Sequence, residues 1–411
     1  MMKKECIKYI LVFFTLIFIF FSYSTLVALL PTKNIKKNIE KSISEMAPEG
    51  TYPKGMINKK QYQMDNFTDA LILSQNYSID NRQPVTSALV PKYAKDTAIN
   101  VFNSTIRQVE HNDVHLISYP RYWHGNTFLL RPFLLFTDYS EIRWILYVIS
   151  SLLFLILGIK LFQIFGMIKT FAFFLGLWFV NIFITQFSIQ LFVTVSIAII
   201  ACILMCNHYH NRKKILLLAF IFGALTSYFD LLTTPLLTCG LPLIVYLSAE
   251  KEDVFKKRFS SLVAFVLLWS IGYALTWCSK WALATIFTDI NVFKDALHTA
   301  SYRISSEDFS RCDAVIENYK LLPNFFIYLI LTLLLPFIVM FFNKKEIKTN
   351  ILLLIVVTFP YLWFLVVAQH SWWHWWFTYR IQAISIIALF FICINFISWD
   401  KIEKLIHKKK E

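Results

Sequence analysis

The sequence predicts an all-α polytopic membrane protein of about ten transmembrane helices, with a large extracytoplasmic first loop. Three observations carry this. Hydrophobic residues fill 57% of the 411 positions and charged residues 16%, against about 45–50% and about 25% in a soluble domain. Apolar runs near the ~20 residues that cross a bilayer recur along the chain. Basic clusters fall in the short links between alternate runs, as the positive-inside rule requires.

The first run is Tyr9 to Leu30, preceded by Lys3, Lys4 and Lys8. It resembles a signal peptide but is too long, and Leu26 and Ala28 stand where two small residues are wanted for cleavage. It reads as a retained helix, residues 1–30, with a cytoplasmic N-terminus. Residues 31–140 are polar and punctuated by Pro31, Pro48, Pro53, Pro84, Pro91, Pro120 and Pro132. They read as an extracytoplasmic loop region, and its lysines do not oppose that, because long loops translocate regardless of charge.

Residues 141–400 read as a multi-span core. Spans are expected near 142–162, 170–187, 189–206, 215–232, 235–249, 259–281, 323–342, 350–368 and 380–398. The turn at Gln186–Gln190 and the pair around Pro235 also admit a re-entrant reading. Arg212, Lys213 and Lys214 fall on one side. So do Lys251, Lys256, Lys257 and Arg258, then Lys344, Lys345 and Lys348, then the basic tail 401–411. An even span count puts both termini and all these clusters in the cytoplasm of a multi-pass cell-membrane protein.

Composition also excludes. Lys+Arg is 40 and Asp+Glu 26, a formal charge of +14. That excess sits in links between apolar runs, and no soluble basic domain exists to bind nucleic acid. Seven cysteines lack any framework spacing, so no disulfide scaffold is implied. With nine glycines there is no P-loop, Rossmann pattern or GxSxG. No internal repeat is visible, which counts against a transporter built from inverted halves.

Six of nine histidines (His111, His115, His124, His298, His370 and His374) fall on the outer side, so the outer membrane–water interface is the expected functional face. Four constellations stand there. The first is Tyr119-Pro120-Arg121-Tyr122-Trp123-His124-Gly125 with Leu130-Arg131-Pro132. Its aromatics fit an interfacial belt, whereas Arg121 and Arg131 suit bidentate phosphate contacts. The second, Asp65-Asn66-Phe67-Thr68-Asp69-Ala70, offers carboxylates able to serve as general base or simply as a helix cap. The third is Tyr228-Phe229-Asp230, where Asp230 ends an apolar run. A carboxylate at such depth is a site hypothesis, or a cap for the next helix. The fourth is His370-Ser371-Trp372-Trp373-His374-Trp375-Trp376-Phe377-Thr378-Tyr379-Arg380. His370 and His374 share a helical face suited to a metal, without the glutamate of HExxH. Arg380 either meets a phosphate or snorkels. Cys202, Cys206, His208 and His210 look like metal ligands on the other side, with no closed zinc spacing. The Asn-x-Ser/Thr triplets at Asn66, Asn76 and Asn103 read as chance matches.

In layout the chain resembles the GT-C superfamily of membrane glycosyltransferases, which have a first helix, a large outer loop and many further helices. Thr68-Asp69-Ala70-Leu71, the Tyr119 and Leu130 motifs, Ser227-Tyr228-Phe229-Asp230 and the His370–Arg380 stretch also resemble bacterial membrane proteins of cell-surface polysaccharide gene clusters. The resemblance covers most of the chain. It implies transfer of a sugar from a polyprenyl-phosphate donor to a glycan acceptor at the outer face. It implies that Asp69, or Asp65 beside it, accepts the proton of the attacking hydroxyl. Arg121, Arg131 and Arg380 would stabilise the leaving phosphate, His124, His370 and His374 would orient the acceptor or donate to that phosphate, and Asp230 would bind a sugar hydroxyl. No cofactor is implied, and a divalent metal stays open. The acid lies further from the first helix than in many members, so Asp113 is a fallback base. Two other classes remain beside this: a flippase for lipid-linked sugars, and a non-catalytic scaffold of a polysaccharide synthase.

Overall fold

The computed structural model describes residues 2–54, 59–111, 114–250, 252, 254–305 and 309–408. Asp113 lies outside them. α1 (Met2–Ala28) is the first apolar run and stops three residues before Pro31. Then come α2 (Thr32–Met46), α3 (Asn66–Ser78), α4 (Pro84–Leu89), β1 (Lys92–Ala94), α5 (Val101–His111), β2 (Leu116–Ser118) and α6 (Gly125–Leu130). The segment between the first two long apolar helices is thus helical, with one antiparallel two-strand ladder pairing Lys92 with Ser118. α2 buries Ile35, Ile39, Ser42, Ile43 and Met46, a helical stripe, and these join the same core as the long apolar helices.

α7 (Tyr139–Phe179) holds a reversal. Gly166 sits at φ 71°, and Phe154 meets Phe174 with ring centroids 6.3 Å apart. Twenty residues of straight helix span ~30 Å, so the chain doubles back at Gly166 as a hairpin. A non-glycine residue is costly at that angle. The expected 142–162 and 170–187 segments are its two arms, and the second ends at Phe179 rather than 187.

α8 (Ile189–His208), α9 (Arg212–Phe229), α10 (Leu237–Ala249) and α11 (Phe255–Phe287) follow. α9 and α11 cross almost backbone to backbone: a Cβ on Gly223 would lie 2.0 Å from the Trp269 carbonyl oxygen, and one on Gly272 2.2 Å from that of Phe220. Small residues at such a crossing replace the hydrophobic drive that a bilayer lacks. Then come α12 (Val292–Ile304), α13 (Arg311–Lys320), α14 (Asn324–Met340), α15 (Ile347–Val357), α16 (Phe359–Val366), α17 (Ala368–Trp373), α18 (Trp375–Thr378), α19 (Ala383–Asn395) and α20 (Trp399–Lys408).

Among the described residues six helical stretches are long and apolar enough to cross a membrane, or seven if α13 and α14, bent by 78°, form one span. The sequence reading expected ten. α9 carries three basic residues in its first turn, and the 13 residues of α10 reach ~20 Å, short of a ~30 Å hydrocarbon core.

The basic links gather at one end of the bundle. Lys213 pairs with Glu5 at 2.8 Å, Arg212 reaches Ser261 at 2.8 Å, and Arg258 reaches Thr349 at 2.8 Å. At the opposite end α4 packs against α11, and α17 against α12 and α13. Lys280 there donates to Leu89 O at 2.8 Å, and Asn318 to Ser371 O at 2.9 Å.

Candidate functional site

The opposite end holds a cleft of two adjoining chambers of about 940 and about 410 Å³. Both are lined by Tyr52, Arg121, Arg303, His370, His374 and Trp376. The larger adds Lys60, Trp373 and Trp375, and the smaller adds Asp65, Lys95 and Gln190.

Asp65 and Asp69 part company here. Asp65 is the N-cap of α3, accepts from the Thr68 amide at 3.1 Å, and lines the smaller chamber. Burial, reinforced by the neighbouring Asp69 carboxylate, pushes it up to about 7. One turn on, Asp69 faces the ends of α7 and α8 instead. It accepts from Tyr139 Oη at 2.7 Å, Ser188 Oγ at 3.0 Å and the Gln190 amide at 3.3 Å. Burial pushes it to about 6, opposed by the Arg143 charge and these donors. Asp69 does not line either chamber. Its oxygens are spent tying α3 to α7 and α8, which makes it a poor proton acceptor for a substrate.

The arginines divide likewise. Arg131 donates to Val27 O at 3.2 Å, Asn76 O at 2.8 Å and Leu30 O at 3.2 Å. The last turn of a helix leaves carbonyls unpaired, and Arg131 ties such a carbonyl at the end of α3, Asn76 O, to Val27 in the last turn of α1 and to Leu30 just beyond it. Arg380, wholly buried, donates to Trp376 O and Gln61 O at 3.2 Å each. Both hold backbone, and neither lines a chamber, contrary to the phosphate role expected of them. Arg121 does line both. One guanidinium nitrogen reaches both oxygens of Asp295, at 2.9 and 2.8 Å, while its buried Nε has no partner among the described residues.

His124 and Asp230 also fall outside the cleft. His124 sits at φ 57°, receives from Gln75 at 3.1 Å and donates to Tyr119 O at 2.7 Å. Burial pushes it down to about 3, so it is a neutral brace for its own loop. Asp230 accepts from Thr194 Oγ1 at 2.9 Å and from the Thr233 amide at 3.0 Å. These bonds fix the turn after α9 to α8; α10 has Leu236 at its N-cap with no side-chain bond, so Asp230 does not cap the next helix.

The histidine pair is brought together, with ring centroids 4.6 Å apart. It does not offer two free nitrogens to a metal. His370 Nε2 donates to Leu232 O at 2.6 Å, which leaves Nδ1 to accept from Arg303 Nη1. Burial and the Arg303 charge hold His370 well below the usual imidazole range and push His374 down to about 4. Among the described residues no three His, Cys, Asp or Glu side chains gather for a metal, and Cys202 and Cys206 are buried within α8.

Arg303 escaped the sequence reading. It lines both chambers, and its buried Nε has no partner among the described residues. The signal was present: Asp295, His298, Thr299, Tyr302 and Arg303 recur at helical spacing in a segment between spans. Without the fold, nothing joined it to His370.

The chemistry available is therefore narrow. One carboxylate near neutrality, the half-buried guanidinium groups of Arg121 and Arg303, a neutral His374 and a wall of tryptophans line one water-accessible cleft. Guanidinium forks suit phosphate, and indole faces suit a ring or cation laid flat against them. No family model, curated protein or solved structure matches the chain.

Proposed function

We propose that this protein is a glycosyltransferase that moves a sugar from a polyprenyl-phosphate-linked donor to a glycan acceptor in this cleft, at the extracytoplasmic face of the cell membrane. The reading includes a ten-segment, GT-C-like arrangement with both termini cytoplasmic. The observation that supports it is the convergence of Asp65, Arg121, Arg303 and His374 on one cleft at the end of apolar helices. Asp65 takes the base role that resemblance first attached to Asp69. Its carboxylate accepts the proton of the acceptor hydroxyl as that oxygen bonds to the anomeric carbon. The bond from that carbon to the phosphate oxygen breaks, and the departing polyprenyl phosphate carries the extra charge against Arg121 and Arg303. Buried donors aimed at developing charge are worth far more than in water.

The test is transfer from polyprenyl-phosphate sugars to glycan fragments by the purified full chain in lipid. Asp65→Asn is expected to lose ~10²–10⁴-fold in rate, the usual worth of a general base. Passage of intact lipid-linked sugar across a vesicle without bond cleavage would replace this reading with the flippase. Loss of no function on substituting Arg121 and Arg303 together would replace it with the scaffold.

A further inference from the structure

α12 is built with three faces. Val292 and Ala296 are buried, Val292 against Leu89, Val90 and Ala284. A polar face carries Asp295 to Arg121, and Tyr302 accepts from Gln369 at 3.0 Å. The third face is apolar and open: Phe293, Leu297 and Ile304 are 39%, 61% and 46% exposed. At 100° per residue these three lie within about 40° of one another, so they form one stripe.

The position of the stripe decides what covers it. α11 ends at Phe287 with Ile286 and Phe287 73% and 55% exposed, the surface expected of a span in lipid. Five residues on, α12 begins at Val292. On its other flank it packs on α17, which starts two residues after the Ile347–Val366 span ends. Two span ends therefore bracket α12. Its open apolar stripe continues the lipid-facing surface of α11, while Lys294 and His298 on the adjoining face are exposed and polar.

We infer that α12 lies in the membrane–water interface, with Phe293, Leu297 and Ile304 seated in the headgroup–acyl boundary of the bilayer, and forms the wall between that boundary and the cleft. A helix with one apolar and one polar face takes this seat because burying the stripe removes apolar surface from water while the polar face stays wet. The inference rests on the membrane reading and on geometry, and stands whether or not the cleft transfers sugar.

The test uses the full chain in phosphatidylcholine–phosphatidylglycerol nanodiscs, with exposed Cys6, Cys278 and Cys312 replaced. One spin label at a time is attached at Phe293→Cys, Leu297→Cys, Ile304→Cys and, as the aqueous control, Lys294→Cys. Collision with oxygen, which concentrates in lipid, is compared with collision with a water-soluble nickel chelate. The three stripe labels are expected to show an oxygen-to-nickel ratio severalfold above that of the Lys294 label. Equal ratios would place the stripe in water. Poor access to both reagents would mean that protein covers it. Either result overturns the inference.

Discussion

Asp65→Asn should stabilise the protein while removing its activity. The side chains are nearly isosteric, and asparagine is as good an N-cap as aspartate, so the amide of Thr68, 3.1 Å away, keeps its acceptor. What changes is charge. Asp65 is 1% exposed, and its carboxyl is raised from 3.8 to about 7, so the folded state holds this proton more tightly than the unfolded chain. A raised acid contributes stability that is fully present below about pH 4 and is lost as pH rises through about 7. Three units at ~1.36 kcal/mol each set a ceiling of about 4 kcal/mol at and above pH 8. The assay is thermal unfolding of both proteins in one detergent from about pH 4 to about pH 8, taking the difference at each pH. The variant should match the wild type at the acid end and exceed it increasingly towards neutrality. If Asp65 is the base, turnover in the wild type should rise about tenfold between pH 6 and pH 8, following its ionised fraction. A flat difference curve, or a variant less stable throughout, would show that Asp65 is not held as an uncompensated buried acid, and the reasoning that singles it out from Asp69 would fail.

Other outcomes follow from the same contacts. Asp69→Asn should cost ~1–3 kcal/mol of stability at about pH 4, because an amide nitrogen would meet the hydroxyl of Tyr139 or Ser188, a cost that shrinks as pH rises through about 6 and the buried carboxylate ionises, and any lost activity should track lost folded protein in a thermal melt. Arg131→Met should destabilise by ~1–3 kcal/mol, since it takes from the buried Asn76 carbonyl its guanidinium donor, without changing the affinity of folded protein for an anionic probe such as pyrophosphate. Arg303→Gln should weaken binding of that probe by ~1.5–3 kcal/mol, the worth of a charge-assisted hydrogen bond. Unchanged affinity by calorimetry would remove Arg303 from the site. Gly223→Val should abolish the folded, monodisperse protein, because no rotamer relieves a Cβ 2.0 Å from a backbone oxygen; a normal elution profile would refute the close crossing of α9 and α11.

Apolar runs, basic links and prolines disclosed the membrane character and most of the helices, because a bilayer demands long stretches of one solvent preference and that demand is written locally. The same code placed the break between 162 and 170, where Gly166 reverses the chain, but was blind to length against tilt, carrying the second arm to 187 rather than Phe179. Of nine residues expected at the site, Asp65, Arg121, His370 and His374 line the cleft, while Asp69, His124, Arg131, Asp230 and Arg380 hold the walls up. Composition could nominate all nine, since a buried guanidinium that caps a helix and one that awaits a phosphate are the same residue in the same aromatic setting. Only the fold apportions them, through which carbonyls and carboxylates come within about 3 Å of each donor. A buried group whose donors or acceptors are taken up by protein, as Asp69 is by Tyr139, Ser188 and Gln190, has nothing left to offer a ligand.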